Sequence, residues 1–143
     1  TNVILGDKCK TLFGEEYIVD SLLGVDFKIS PLAFFQVNRE MTEILYDTAA
    51  SFAEVEEKTV LDLFCGAGTI GLTLANKAKQ IIGVEIVAPA IENAKSNAEL
   101  NGITNARFIC ADAAKAAKNE QTDVVEKTEG GHKNVCYFYQ AAA

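Results

Sequence analysis

The feature that most constrains this chain is a threefold alternation between residues 59 and 110. A short apolar run, Thr59-Val-Leu-Asp-Leu-Phe, enters a glycine-rich turn and is followed from Ile70 to Ala78 by apolar residues at helical spacing. The pattern then repeats. Gln80-Ile-Ile-Gly-Val-Glu reads as a second strand, Pro89 to Asn101 as a second helix closed by Gly102, and Ala106-Arg-Phe-Ile-Cys as a third strand. Strand–helix–strand alternation predicts a parallel sheet with right-handed crossovers, hence an α/β, Rossmann-like fold.

The segment before this core has a different rhythm. Glu16 to Leu23 and Val25 to Ser30 alternate apolar and polar residues around Gly24, which predicts a hairpin. Ser30-Pro31 ends it. From Asn38, placed to cap, Met41, Ile44, Leu45, Thr48, Ala49 and Phe52 recur at helical spacing and predict a helix over 39–52. The chain therefore divides into a hairpin and helix (1–57), a core (58–118) and a divergent tail (119–143). In that tail Asn119 to Lys133 is polar and aperiodic and is expected to be a loop, whereas Asn134-Val-Cys-Tyr-Phe-Tyr could form an edge strand.

Bulk properties narrow the classes of function. At 143 residues and 49% hydrophobic composition the chain can fill one core. No run is long enough for a membrane span, and no signal-peptide layout opens the chain, so the expected setting is the cytoplasm. Cys9, Cys65, Cys110 and Cys136 form no CxxC pair, so no metal site is expected and the thiols should be reduced and mostly buried. Net charge is −7, and residues 1–57 carry eleven acids against four bases; no basic surface for nucleic acid is evident.

The chemistry concentrates in Asp62-Leu-Phe-Cys-Gly66-Ala-Gly68-Thr-Ile-Gly71. Gly66 and Gly68 permit a sharp turn with room for a ligand against main-chain amides, and Gly71 permits close helix–strand packing. Glu85, at the end of the second strand, is placed to accept hydrogen bonds from a ribose diol, and Asp112, past the third, to reach an adenine amino group. A nicotinamide cofactor and S-adenosylmethionine both suit that outline. Asp62 discriminates between them, because a carboxylate repels a pyrophosphate but stabilises a sulfonium and an α-ammonium.

Phe27-Lys-Ile-Ser-Pro-Leu-Ala-Phe-Phe-Gln36-Val-Asn38, followed by a helix and then by Val60-Leu-Asp-Leu-Phe-Cys-Gly-Ala-Gly-Thr-Ile-Gly-Leu, closely resembles the RNA 5-methyluridine methyltransferases of transfer and ribosomal RNA. The resemblance spans roughly residues 15–115. It implies an S-adenosylmethionine site formed by Gln36, Asp62, Phe64, the loop Cys65, Gly66, Ala67, Gly68 and Thr69, Glu85 and Asp112, with S-adenosylhomocysteine as product and RNA as partner. Family members attack C6 of uridine with a cysteine and carry an aspartate–proline-rich loop after the fourth strand. No such motif follows Thr122-Asp-Val-Val here. No catalytic residue is therefore assigned, Cys65 being a loop residue, and the chain reads as a cofactor-binding part that is inactive alone. The competing reading is a regulatory module that self-associates, as a homodimer, through an uncovered sheet edge.

Overall fold

The computed structural model describes residues 10–31 and 33–116, and the backbone of 135–139. Strands β1 (Ile18–Leu22) and β2 (Val25–Ile29) pair antiparallel. Leu23 and Gly24 between them both have positive φ, 49° and 81°, the conformation that matches a two-residue loop to the strand twist. Helix α1 (Arg39–Ala53) starts where Asn38 accepts the Met41 amide. The core runs β3 (Thr59–Leu63), α2 (Thr69–Leu74), β4 (Gln80–Glu85), α3 (Ala88–Leu100) and β5 (Ala106–Cys110), with a helical turn opening at Ala113. Strand β6 (Val135–Tyr139) completes a parallel sheet of order β5-β4-β3-β6.

This order matters for function. The chain steps outward from β3 to β5 and then returns to the far side of β3, so neighbouring connections leave the sheet in opposite directions beside β3. In open α/β sheets such a reversal opens a crevice outside the carboxyl ends of the strands. The expected edge strand is present and pairs with β3 from Thr59↔Val135 to Leu63↔Tyr139. The expected loop at 119–133 lies outside the described residues.

Both sheet faces are covered. Val60 and Ile81 pack with Ala50, Val55, Leu74 and Ala78 on one face, while Leu61, Leu63, Ile82 and Val84 meet Ala113 and Ala116 on the other. Gly71 lets α2 sit directly on the sheet: a Cβ there would lie 2.7 Å from Ile81 Cγ2 and 3.1 Å from Asp62 Oδ2. Gly71→Ala should therefore cost about 1–3 kcal/mol by overpacking, read as a lower urea midpoint at unchanged m-value. An unchanged midpoint would mean that Ile81 moves aside freely.

The hairpin is fastened to α3 by two asparagines one helical turn apart. Asn97 Oδ1 accepts the Lys28 amide at 2.9 Å, and Asn101 Oδ1 accepts the Asp26 amide at 2.9 Å while its Nδ2 donates to the Asp26 carbonyl at 2.7 Å. Four helical residues rise about 6 Å and two strand residues about 6.6 Å, so the spacings match. The side chains thus stand in for a neighbouring strand. Asn97 inside the helix weakens it locally and Asn101 is its C-cap, and here both satisfy an otherwise open strand edge.

Three expectations are corrected. Helix α2 ends at Leu74 and not Ala78, because Asn105 Nδ2 takes the carbonyls of Ala75 and Ala78 at 2.8 and 3.1 Å while tight turns replace the next helical residues. Of the two described thiols only Cys65 is buried; Cys110, at a strand end, is exposed. Finally, α1 buries Thr42, Tyr46 and Ala50, whereas the apolar residues that marked it as a helix, Met41, Ile44, Leu45 and Phe52, face outward.

Candidate cofactor site

The site grows from the end of β3. Asp62 points from the sheet toward α2 and is fully buried; its Oδ2 accepts the Gly71 amide at 3.0 Å, and its Oδ1 has no hydrogen-bond partner. Burial, with a smaller push from Glu85 and against the Gly71 bond, moves its carboxyl up to about 7. Beyond the Gly71 amide, no donor or cation among the described residues meets this carboxyl.

After β3 the chain turns abruptly. Phe64 adopts φ 62°, rare for a bulky residue, and Gly66 and Gly68 follow at 54° and 81°. Strain of this kind persists only where the surroundings enforce it: the Cys65 amide donates to the Val84 carbonyl at 3.0 Å, and the Gly68 amide to the Cys65 carbonyl at 2.8 Å. Open space surrounds the position of a Gly66 Cβ, while Phe64 is 42% exposed at the strand end. The loop therefore presents backbone and an aromatic ring to the crevice.

Glu85 links this loop to the next. Its Oε2 accepts the Gly66 amide at 3.3 Å, and its Oε1 accepts the amides of Ile86 and Val87 at 2.7 and 3.0 Å. Asp112 stands past β5, exposed, with Oδ1 accepting the Lys115 amide at 3.0 Å. It caps the next helical turn. Asp62, the Gly66–Gly68 turn and Glu85 are thus brought together directly, and Asp112 lies one strand further along the same sheet end.

Other expected members are placed differently. Thr69 is buried and its hydroxyl is 3.2 Å from the Tyr46 hydroxyl, and the Ala67 carbonyl accepts from Asn97 Nδ2 at 3.3 Å, so both are used internally. Cys65 is buried, and burial, then Asp62, then Glu85 push its thiol far above the ordinary range. It is not a thiolate. Gln36 is half-buried, and among the described residues no hydrogen bond joins it to Asp62, the loop or Glu85.

Sequence reading missed Tyr46 and Asn97. Tyr46 is buried on α1 and its hydroxyl meets that of Thr69, the first residue of α2; Asn97 holds loop and hairpin to α3. A polar residue at a core position of α1 and an asparagine mid-helix were the available signals.

The comparisons with known proteins agree with this geometry. A family model described as a methyltransferase domain matches residues 54–130. An RNA methyltransferase of Halalkalibacterium halodurans is 50% identical over 131 residues, covering 87% of this chain and 29% of the relative. One from Oceanobacillus iheyensis is 49% identical over 116 residues, covering 80% of this chain and 25% of the relative. The chain thus spans under a third of the length of these curated relatives.

Solved structures give the same picture. The Pyrococcus abyssi tRNA (uracil-54, C5)-methyltransferase, in complex with S-adenosyl-L-homocysteine, superposes with TM-score 0.60 at 34% identity, covering 70% of this chain and 25% of that one. A SAM-dependent methyltransferase from Agrobacterium tumefaciens gives 0.64 at 30% identity, covering 80% and 38%. On sequence match, sheet order and the strand–glycine loop–helix geometry together, the chain belongs to the methyltransferase domain family.

Proposed function

We propose that the chain is the S-adenosylmethionine-binding part of an RNA uracil-C5 methyltransferase. One observation carries the cofactor assignment: a fully buried Asp62 carboxylate with an unpartnered oxygen, near the end of β3 and bonded to Gly71 just past the Gly66–Gly68 turn. A buried anion without a partner costs several kcal/mol, and a ligand bringing positive charge offsets that cost. S-adenosylmethionine carries an α-ammonium and a sulfonium, and when bound it supplies an electrophilic methyl group. A dinucleotide would instead set a pyrophosphate over the same carboxylate.

On this reading Asp62 stabilises the cationic end, the Gly66–Gly68 backbone and Phe64 border the ligand, Glu85 accepts from the ribose hydroxyls, and Asp112 faces the adenine. Gln36, Cys65, Ala67 and Thr69 complete the site, the last three through the main chain or as its support. The uracil-C5 assignment rests on the joint presence of Phe35-Gln36-Val37-Asn38 and Asp62-Leu-Phe-Cys-Gly66, and on the 34% identity to the tRNA enzyme. RNA is then the partner and the cytoplasm the place of work.

Parallel calorimetric titration with S-adenosylhomocysteine and NAD tests the assignment. We expect the first to bind and the second not. Glu85→Ala should weaken S-adenosylhomocysteine binding by about ten- to a hundredfold, the equivalent of about 1.5–3 kcal/mol for lost charge-assisted hydrogen bonds. Because Glu85 also accepts three loop amides, part of that loss comes through the loop. Unchanged affinity in the variant removes Glu85 from the site, and preferential NAD binding overturns the reading.

A further inference from the structure

Helix α1 carries a surface that the crevice does not use. Met41, Ile44, Leu45 and Phe52 are 57%, 58%, 58% and 86% exposed and lie at i, i+3, i+4 and i+11, on one side of the helix. An ordinary surface helix turns its apolar stripe to the core. This one seats itself through Thr42, Tyr46 and Ala50 and leaves the stripe outside. Four large apolar side chains so exposed amount to an apolar patch on the order of a few hundred Å², the size at which patches mark contact sites.

The flank of the stripe identifies what fits it. Glu40, Glu43 and Asp47 recur at i, i+3 and i+7 along one side, and Glu54 follows as the C-cap. Arg39 reaches Glu43 at 3.3 Å and Asp20 at 3.9 Å, Lys77 reaches Asp47 at 3.4 Å and Lys58 reaches Glu54 at 3.8 Å, but Glu56 and Glu57 add further charge at the helix end, so the rim stays acidic. Nucleic acid is disfavoured by that sign. A second copy packed antiparallel would set this column against its own duplicate, as like charges flanking a helix pair do.

We infer that the outer face of α1 docks a helical polypeptide segment whose apolar stripe is flanked by lysine or arginine. The apolar side chains supply the contact and the acidic column sets partner and orientation. The inference rests on α1 alone and stands or falls separately from the cofactor assignment.

The test uses the full chain and two labelled synthetic helical peptides of about 20 residues, sharing one leucine stripe and differing in lysine or glutamate flanks. Fluorescence anisotropy should show the lysine peptide binding at least about tenfold tighter at low salt, with the gap closing at high salt. The double variant Ile44→Glu, Leu45→Glu should lose both peptides while circular dichroism stays unchanged. Glu40→Lys with Asp47→Lys should invert the preference. Equal affinity for the two peptides, a preference that survives charge reversal, or a dimer in sedimentation equilibrium that Ile44→Glu, Leu45→Glu dissolves would each overturn the inference, the last by giving the stripe to a second copy.

Discussion

Incubated with total transfer and ribosomal RNA and a labelled methyl donor, the 143-residue chain should form no 5-methyluridine above background. An unactivated uridine carbon is a poor nucleophile, and the chemistry implied by the family resemblance needs a thiolate to add at C6 and a base to take the C5 proton. Cys65 is buried with its thiol pushed far up, so it supplies no thiolate. Cys110 is exposed but ends β5, two strands from β3 and so about 10 Å across the sheet from Asp62. Cys136 is in register with Val60, three residues short of the Leu63↔Tyr139 pair at the carboxyl end, or about 10 Å along the strand. No described position brings a reactive thiol to the crevice.

The strand beside β3 is Val135–Tyr139, which carries Cys136. Label in 5-methyluridine that Cys136→Ala abolishes would show that β6 carries the nucleophile after all.

The sheet was legible because each strand is a short, mostly apolar run between turn signals. Gln80–Glu85 and Ala106–Cys110, despite Gly83 and Arg107 within them, are read with the bounds they have in the structure. The hairpin declared itself through Gly24, and α1 through Asn38. Periodicity reports that a helix has an apolar side but not where that side points. For α1 the seat on the core is made by Thr42, Tyr46 and Ala50, and tertiary packing decided it. In the candidate site, the placement of Asp62, the glycines and Glu85 was legible because it depends on backbone position at strand ends. Tyr46 and Asn97 were not, because their partners Thr69, Lys28 and Ala67 lie 23 to 69 residues away. Only the folded chain brings them together.

Asp62→Asn should move stability and binding in opposite directions at pH 8. The carboxyl of Asp62 is pushed from 3.8 to about 7 in the folded state, mainly by burial. Its folded value exceeds its unfolded one, so the native chain holds this proton more tightly, and the associated stability is complete below about pH 4, fades as pH rises toward 7 and is gone above it. Three units correspond to about 4 kcal/mol, an upper bound for this group's contribution. At pH 8 the protein therefore carries a buried charge whose Oδ1 lacks a partner. Asparagine removes the charge and keeps an acceptor for the Gly71 amide, but leaves N–H donors unmet at a cost of about 1–3 kcal/mol. The variant should thus unfold at higher urea than the parent at pH 8, by about 1–3 kcal/mol, and lose that advantage near pH 4.5. On the proposed assignment the same change deletes the negative charge offered to the cationic end of the ligand, so S-adenosylhomocysteine affinity at pH 8 should fall by about ten- to a hundredfold. A carboxylate kept at the expense of stability is what a binding group looks like energetically. If Asp62→Asn is instead less stable than the parent at pH 8, the charge is compensated within the protein, and the case for a cationic ligand at this position fails.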